Sequence, residues 1–565
     1  MARFALTTAL HLESGGHEAV CCADEREGRR VTTTMRGFVS FGLMGTVLLA
    51  CGIGEIGAGS GSPAVNSGTN PSGSSGSSGS GAGSEVKTTG SGGGAGNDVA
   101  PSSEAMVHLV PASGVSGSQH VNVAVPFGRG WLTDATHVRV SQAGKVLPIA
   151  RRVLAKHSDG SVRSVQLQFD LQVTGESDVA VQVTADVNDA SLTMTSVQQL
   201  LAVSGQTESP KVWTRLPSEW LAASGVGGPL LAKSATPSQH VAWDELCDYD
   251  KNSYDSFVSQ SKDSAVWLYD RPTTLYRGYF RHGDQTTLAD AYKEVSMYRA
   301  GLHGTGTSTT IGLTDKADDL KYYYSQGFAL HYLLTGDDRY REAAENIAER
   351  ATTLYTRTVY NGSGFWTERN SAFALLAYVW ASIVSDDKAD RYATLADAVV
   401  SGLAETQNKT ISGYTDTQAR CYSHSADSHG EDYGYDGCSP WMSAIVADGL
   451  ETYMHERPTA QADVAKTTLI KLGRFFAKYR DADGKPYYWV ASNGSKGEVD
   501  PDDEHWGEGA YLVSLAYYYS GKTDTSLAKA LGELTTGLQK NGSAPHIRSF
   551  NWQCRSAVAT SYFAR

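Results

Sequence analysis

Between residues 104 and 200, apolar side chains recur at every second position. Val121, Val123 and Val125 alternate with polar or small residues. So do Val165, Leu167, Phe169, Leu171 and Val173, and again Val179, Val181 and Val183. That period belongs to strands with one face buried. Asp159-Gly160 separates two such runs and suits a hairpin turn. The pattern predicts a small all-β domain over 104–200, barrel or sandwich in type. From about 205 the period becomes helical. One kind of segment is apolar nearly all round: Gly327–Leu334, Ala372–Val384, Trp441–Leu450 and Ala510–Tyr519. The other is amphipathic, as where Tyr340, Ala343, Ala344, Ile347, Ala348, Ala351 and Leu354 share one face. Turn signals separate them: Arg281-His282-Gly283-Asp284, Thr335-Gly336-Asp337-Asp338, Ser385-Asp386-Asp387 and Ser520-Gly521-Lys522. Recurring helical hairpins predict a ring or solenoid of helix pairs over 205–565, apolar helices inside and amphipathic ones outside. The fold class expected is therefore multidomain α+β, a small β domain followed by a large toroid of helical hairpins.

The first hundred residues read differently. Met35 and Arg36 precede an apolar run from Phe38 to Ala50, then Cys51. A positive start, a short apolar core and a small residue before the cut make an export signal over 35–50. The run is short for a membrane span. Leu48-Leu49-Ala50-Cys51 resembles the lipobox of bacterial lipoproteins, which implies that Cys51 becomes a lipidated first residue. Gly52 follows it, so no aspartate signals inner-membrane retention. Residues 1–34 suit no export signal and read as an upstream extension, with Met35 the true start. Residues 51–103 are the anchor cysteine and a Gly/Ser-rich tether with too few apolar side chains to offset its ordering entropy. These features predict an exported lipoprotein at the outer membrane, cell surface or periplasm, touching membrane through its lipid alone.

The formal net charge of −13 argues against nucleic acid as a partner, though a local basic cleft can sit on an acidic chain. Cys247, Cys421, Cys438 and Cys554 remain after the anchor, an even number that suits disulfides outside the cytoplasm. Four cysteines allow three connectivities. The favoured one joins Cys421 to Cys438 across a short polar loop and Cys247 to Cys554 across the ends of the second domain.

If the inner helices run parallel, the segments just before them share one mouth, where helix N-termini favour anions. Those segments are Lys321-Tyr322-Tyr323-Tyr324-Ser325-Gln326, Trp366-Thr367-Glu368-Arg369-Asn370, the loop 421–441, and Asp502 to Glu508 with His505 and Trp506 among them. The loop holds His424, Asp427, His429, Glu431, Asp432, Tyr433 and Tyr435 and leads into Trp441. Tyr322 to Tyr324 also suit plain packing, and Asp502 to Glu504 a solvated turn. Nucleophile-elbow and phosphate-cradling glycine motifs are absent from the sequence. His and Tyr beside Arg and Asn suit proton abstraction next to a carboxylate. Arg or Asn stabilises the enolate-like charge, His or Tyr takes the proton, and Tyr protonates the leaving oxygen. That chemistry is β-elimination on a uronic-acid polysaccharide. Trp366, Trp441 and Trp506 suit stacking on sugar rings, with Lys321, Tyr322 and Gln326 as further substrate contacts.

At this point the chain resembles polysaccharide lyases with an α/α-toroid catalytic domain. Its β domain is similar to the N-terminal module of exo-rhamnogalacturonan-lyase-like proteins, through Val125-Pro126-Phe127-Gly128-Arg129-Gly130 and Asp159-Gly160-Ser161-Val162-Arg163. His157 and Ser164 stand where that family carries aromatics, so a shared ligand is not implied, and the domain reads as supporting or sugar-contacting. The resemblance implies Arg369 and Asn370 as carboxylate neutralisers, His424 or His429 as base, Tyr433 or Tyr435 as acid, and His505 as an auxiliary. It implies a monomer acting on an acidic polysaccharide without a required cofactor. His424, Asp427, His429 and Glu431 offer ligand types for a structural zinc or calcium ion, at a spacing of no standard pattern. Two rivals remain: a glycoside hydrolase using two of Asp427, Glu431, Glu504 and Glu508, and a non-catalytic glycan-binding lipoprotein.

Overall fold

The computed structural model describes residues 103–184, 191–260, 270–313, 319–355, 367–457, 460–544 and 547–565. The expected export signal, Cys51 and the expected tether lie outside them. All described residues belong to one unit, Thr89–Arg565.

Seven strands follow one another: β1 (Glu104–Pro111), β2 (Gly117–Pro126), β3 (Val138–Gln142), β4 (Lys145–Val146), β5 (Ala150–Lys156), β6 (Val162–Val173) and β7 (Ser177–Val183). They form two antiparallel sheets, β5-β6-β2 and β4-β3-β7-β1, the second extended beyond β1 by Val212–Arg215. Alternate valines are the inward set, with Val121 opposite Phe169 and Val125 opposite Val165. Val107, Val121, Val165, Leu167, Phe169, Val179 and Val181 are all buried in one apolar core. β6 departs from simple alternation: Ser164, Gln166 and Gln168 on its other face are buried as well. Their burial follows from what covers that face, the helical part of the chain.

The helices are α1 (Val197–Ser204), α2 (Ser218–Ser224), α3 (Val241–Leu246), α4 (Tyr254–Gln260), α5 (Arg271–His282), α6 (Gln285–Ala300), α7 (Gln326–Thr335) and α8 (Asp338–Leu354). There follow α9 (Glu368–Val384), α10 (Ala389–Gln407), α11 (Pro440–Glu456), α12 (Ala460–Lys478), α13 (Trp506–Tyr519), α14 (Thr525–Asn541), α15 (Ile547–Ser556) and α16 (Thr560–Ala564). From α5 to α14 they are hairpins, each inner helix followed by an outer one. The turn chemistry is explicit. Gly283 and Gly336 end α5 and α7 at φ of 70° and 71°, a conformation that favours glycine. Asp284, Asp337 and Asp524 then cap the next helix through backbone N–H groups of its first turn. Inner helices pack in the order α5, α7, α9, α11, α13, α15, and α15 packs back on α5, closing the ring.

Four inner helices, α7, α9, α11 and α13, are those the sequence marks as apolar all round. The other two are a correction to that rule. α5 and α15 are also buried, yet they carry Arg271, Arg277, Arg281 and Arg555, each almost wholly enclosed. Asp448 of α11 takes Arg277 on one oxygen at 2.7 Å and Arg555 on the other at 2.5 Å. Arg271 pairs with Glu294 at 2.6 Å. Cys247 bonds to Cys554 and Cys421 to Cys438, the favoured pairing. The first of these ties the segment before α4 to α15 and so spans the closure.

The β sheets cover the C-terminal ends of α7 and α11. Ser164 donates to the Leu333 carbonyl at 2.7 Å and Asn122 to that of Thr335 at 2.8 Å, satisfying acceptors that the end of α7 leaves open. Arg152 reaches the Gly336 carbonyl and pairs with Asp338. Arg129 reaches the His455 carbonyl near the end of α11, and Arg163 pairs with Glu456. Arg129 and Arg163 belong to the two short motifs singled out in the sequence. Here they fasten sheet to ring, which is the supporting role. The N-termini of the inner helices therefore gather at the end facing away from the sheets.

Candidate active site

A four-stranded sheet at that open end joins segments distant in sequence. Its strands are His424–Ser425, Asp436–Cys438, Tyr487–Ala491 and Gly497–Val499. Cys421–Cys438 staples the loop that carries the first two. Ser439 then caps α11 through the backbone N–H of Met442, and Pro440 opens the helix, which places Trp441 in its first turn.

Four side chains from four segments meet around Trp441. Arg369, in the first turn of α9, lies with its guanidinium carbon 5.4 Å from the Trp441 ring centre. Trp552 of α15 stacks on Trp441 at 5.7 Å with planes 18° apart. His505, capping α13, stacks on Trp441 at 6.1 Å and lies 5.4 Å from Trp552. Tyr488 sits 5.7 Å from His505 and 6.1 Å from Trp441. Trp441 and His505 are buried, whereas Tyr488 and Trp552 are half-buried. Arg548 adds a second guanidinium, 5.4 Å from the Trp552 ring centre.

His505 is held by its neighbours. Its backbone N–H donates to Asp500 at 3.1 Å, and Nδ1 lies 3.6 Å from Glu508 one turn into α13. Among the described residues, Nε2 meets no hydrogen-bond partner. Burial alone would disfavour the imidazolium, yet Glu508, with Asp500 and Glu504 nearby, holds the imidazole pKa above its ordinary value. Burial pushes the Glu508 carboxyl up as well. The pair thus faces across 3.6 Å as an ion pair rather than a hydrogen bond, and among the described residues neither imidazole nitrogen is hydrogen-bonded.

His424 is arranged differently. Its Nδ1 lies 3.1 Å from the Ser425 carbonyl and its Nε2 3.7 Å from Glu368. Glu368 accepts from the Ser439 backbone N–H at 2.9 Å and from the Ser443 hydroxyl. Both imidazole nitrogens of His424 face acceptors of the chain itself, and its ring packs edge-on against Trp489 at 5.0 Å. Tyr433 leans on Trp489 and Tyr435. The Tyr435 hydroxyl donates to Glu498 at 2.7 Å, with Lys496 3.9 Å from its ring centre. Burial and then the Glu498 carboxylate keep that phenol protonated, above its usual range.

The remaining expected site residues are scattered. Asn370 is buried and accepts from the Thr367 hydroxyl at 2.7 Å. Lys321 pairs with Asp319 at 3.0 Å, above the buried Tyr322. Gln326 accepts from Arg555 at 2.7 Å and so belongs to the ring closure. Trp506 is core between α13 and α14, its indole N–H donating to Asp503 at 3.0 Å. Asp427 is exposed, and Glu431 accepts from the Tyr488 hydroxyl at 3.1 Å. Trp366 and the side chain of His429 lie outside the described residues. Among the described residues no group of three or more ligand-type side chains is placed to hold a metal ion, and no helix is long and apolar enough to cross a membrane.

Sequence reasoning missed Tyr488, Trp552 and Arg548, and it read Glu508 only as a carboxylate of the hydrolase rival. The aromatic run Tyr487-Tyr488-Trp489 was an available signal. Trp552 and Arg548 lie on a helix too polar for the inner-helix rule to find.

No family model matches the chain, and no curated protein does. Solved structures similar to it include a glycosyl hydrolase of family 88 from Bacteroides vulgatus, at 10% identity and a TM-score of 0.40, covering 57% of this chain and 99% of that one. A polysaccharide lyase is similar at 12% identity and a TM-score of 0.40, covering 57% of this chain and 97% of that one.

Proposed function

We propose that this chain is an enzyme that cleaves a uronic-acid-containing polysaccharide by β-elimination at the open end of its ring. The observation that carries the reading is the cluster of Arg369, Trp441, Trp552 and Tyr488 around His505, whose Nε2 is uncommitted. Indole faces suit sugar rings, and a guanidinium suits a sugar carboxylate. Nearby carboxylates already serve as acceptors for the chain's own donors: Glu368 for Ser443, Glu431 for Tyr488, Glu498 for Tyr435 and Glu504 for Ser549. A paired acid and base for hydrolysis is harder to assemble from them than a base and a neutraliser for elimination.

In this reading Arg369 engages the uronate carboxylate and stabilises charge as C5 loses its proton to Nε2 of His505. The C5–H electron pair becomes the C4=C5 double bond and the C4–O bond breaks. The departing oxygen takes a proton from the Tyr488 hydroxyl. The buried His505 and Trp441 pack against the half-buried rings of Tyr488 and Trp552, and this reading requires those two rings to move aside for sugar to reach Nε2. His424, with Nδ1 at the Ser425 carbonyl and Nε2 3.7 Å from Glu368, positions the stapled loop. The two disulfides suit a chain that folds outside a reducing cytoplasm. Lipidation at Cys51 would hold such an enzyme at the cell envelope.

The test is a panel of uronic-acid polymers screened for ultraviolet-absorbing unsaturated products. His505→Ala should lower kcat by at least about 100-fold, the low end for a general base. His505 acts as base only when neutral, so kcat/KM should rise with pH along a limb displaced above about 6.5. Glu508→Gln removes the carboxylate that raises the imidazole and should move that limb to lower pH. Full activity in His505→Ala would overturn the assignment. One observation favours hydrolysis instead: burial keeps the Glu508 carboxyl protonated more readily than usual, as a general acid requires. New reducing ends without ultraviolet absorbance would establish that second reading.

A further inference from the structure

Arg548 is a cation whose placement the ring does not require. It stands in the first turn of α15, where the helix dipole already presents partial positive charge and a further cation is unfavourable. Among the described residues no carboxylate pairs with it, whereas Arg271, Arg277 and Arg555 of the same two helices each hold one. Its side chain is half-buried rather than enclosed. Trp552 lies four residues on, one turn along the helix, and its ring centre is 5.4 Å from the guanidinium carbon. Trp552 is itself stacked on Trp441, which carries Arg369. Two stacked indoles therefore hold two guanidiniums, one at Trp441 and one at Trp552. A guanidinium steadied on an indole loses less freedom when it grips a carboxylate through two N–H groups.

We propose that Arg548 is a second carboxylate-binding residue, so that the open end of the ring recognises two acidic sugars of one polymer chain. This rests on the reading of that end as a uronate-binding site. The Arg369 site takes the sugar to be cleaved. The Arg548 site takes a different sugar of the same chain and acts through affinity and register.

The experiment measures binding on the full chain carrying His505→Ala, so that polymer is not consumed. Polygalacturonate, alginate and glucuronan are compared with their carboxyl-reduced counterparts by calorimetry. Adding Arg548→Ala should weaken binding of the preferred acidic polymer about tenfold, the loss of one charge-assisted contact. Arg548→Lys should recover part of that loss, and affinity for the carboxyl-reduced polymer should not change. Equal weakening of acidic and reduced polymers would show a packing role and overturn the proposal, as would an unchanged affinity for the acidic one. Unsaturated products from the parent chain together with an indifferent Arg548 would remove the subsite and leave the lyase reading standing. Arg548-dependent acid binding without unsaturated products would do the reverse, and failure of every acidic polymer to bind would remove both.

Discussion

The six inner helices are all largely buried but chemically of two kinds. α7, α9, α11 and α13 fill the ring with Leu, Ala, Phe, Val and Tyr. α5 and α15, which meet where the ring closes, are built on arginines satisfied by Asp448, Glu294 and backbone carbonyls. Apolar contact is non-directional and tolerates sliding, whereas a carboxylate shared by two guanidiniums fixes one register. The contrast assigns bulk cohesion to the four and the fit of the closure to the two, a division that substitutions can test.

The largest effect is expected at Asp448. Asp448→Ala leaves Arg277 and Arg555 enclosed without their carboxylate and should destabilise the fold by about 3–5 kcal/mol, read from urea denaturation midpoints. A loss below about 1 kcal/mol would mean that the arginines find other partners and that the closure is not specified by charge. Next is Leu330→Ala in α7, a fully enclosed position. Its expected cost is about 3 kcal/mol, the transfer of the lost methyl groups plus the cavity left behind. The smallest effect separates the two kinds by pH. Burial would raise the Asp448 carboxyl, but Arg277 and Arg555 more than offset this and hold it below its ordinary value. Its contribution is therefore complete above the unfolded value near 4 and fades as pH falls through the folded one. The stability gap between the parent chain and Asp448→Asn should shrink in acid, while the gap to Leu330→Ala should hold. A gap to Asp448→Asn that stays constant with pH would contradict the assignment.

The same contrast explains what the sequence made legible. Val121, Val165 and Val179 announced the sheets through their period, and the continuous apolar run of α9 announced an inner helix. Both signals arise from burial against nonspecific apolar surroundings, which composition alone encodes. Arg277 and Arg555 gave no such signal. A buried arginine looks like a surface one until its partner, here 171 residues away for Arg277, is brought beside it. At the open end, Arg369, Trp441 and His505 were legible because each falls just before or at the start of an inner helix. Trp552 and Arg548 were hidden because α15 reads as a surface helix. Tyr488 was hidden because its strand enters the site only by pairing with the stapled loop.

The Cys247–Cys554 bond has a mechanical meaning. It joins the beginning and end of the helical circuit, turning a closure held by side chains into a hoop of fixed circumference. A hoop cannot admit a polymer by parting at its join. If the proposed reading holds, room for sugar has to come from the rim, where Tyr488 on its strand and Trp552 in α15 are only half enclosed. On that reading the covalent link leaves the half-buried rings beside His505, rather than the join of the ring, as the place to yield.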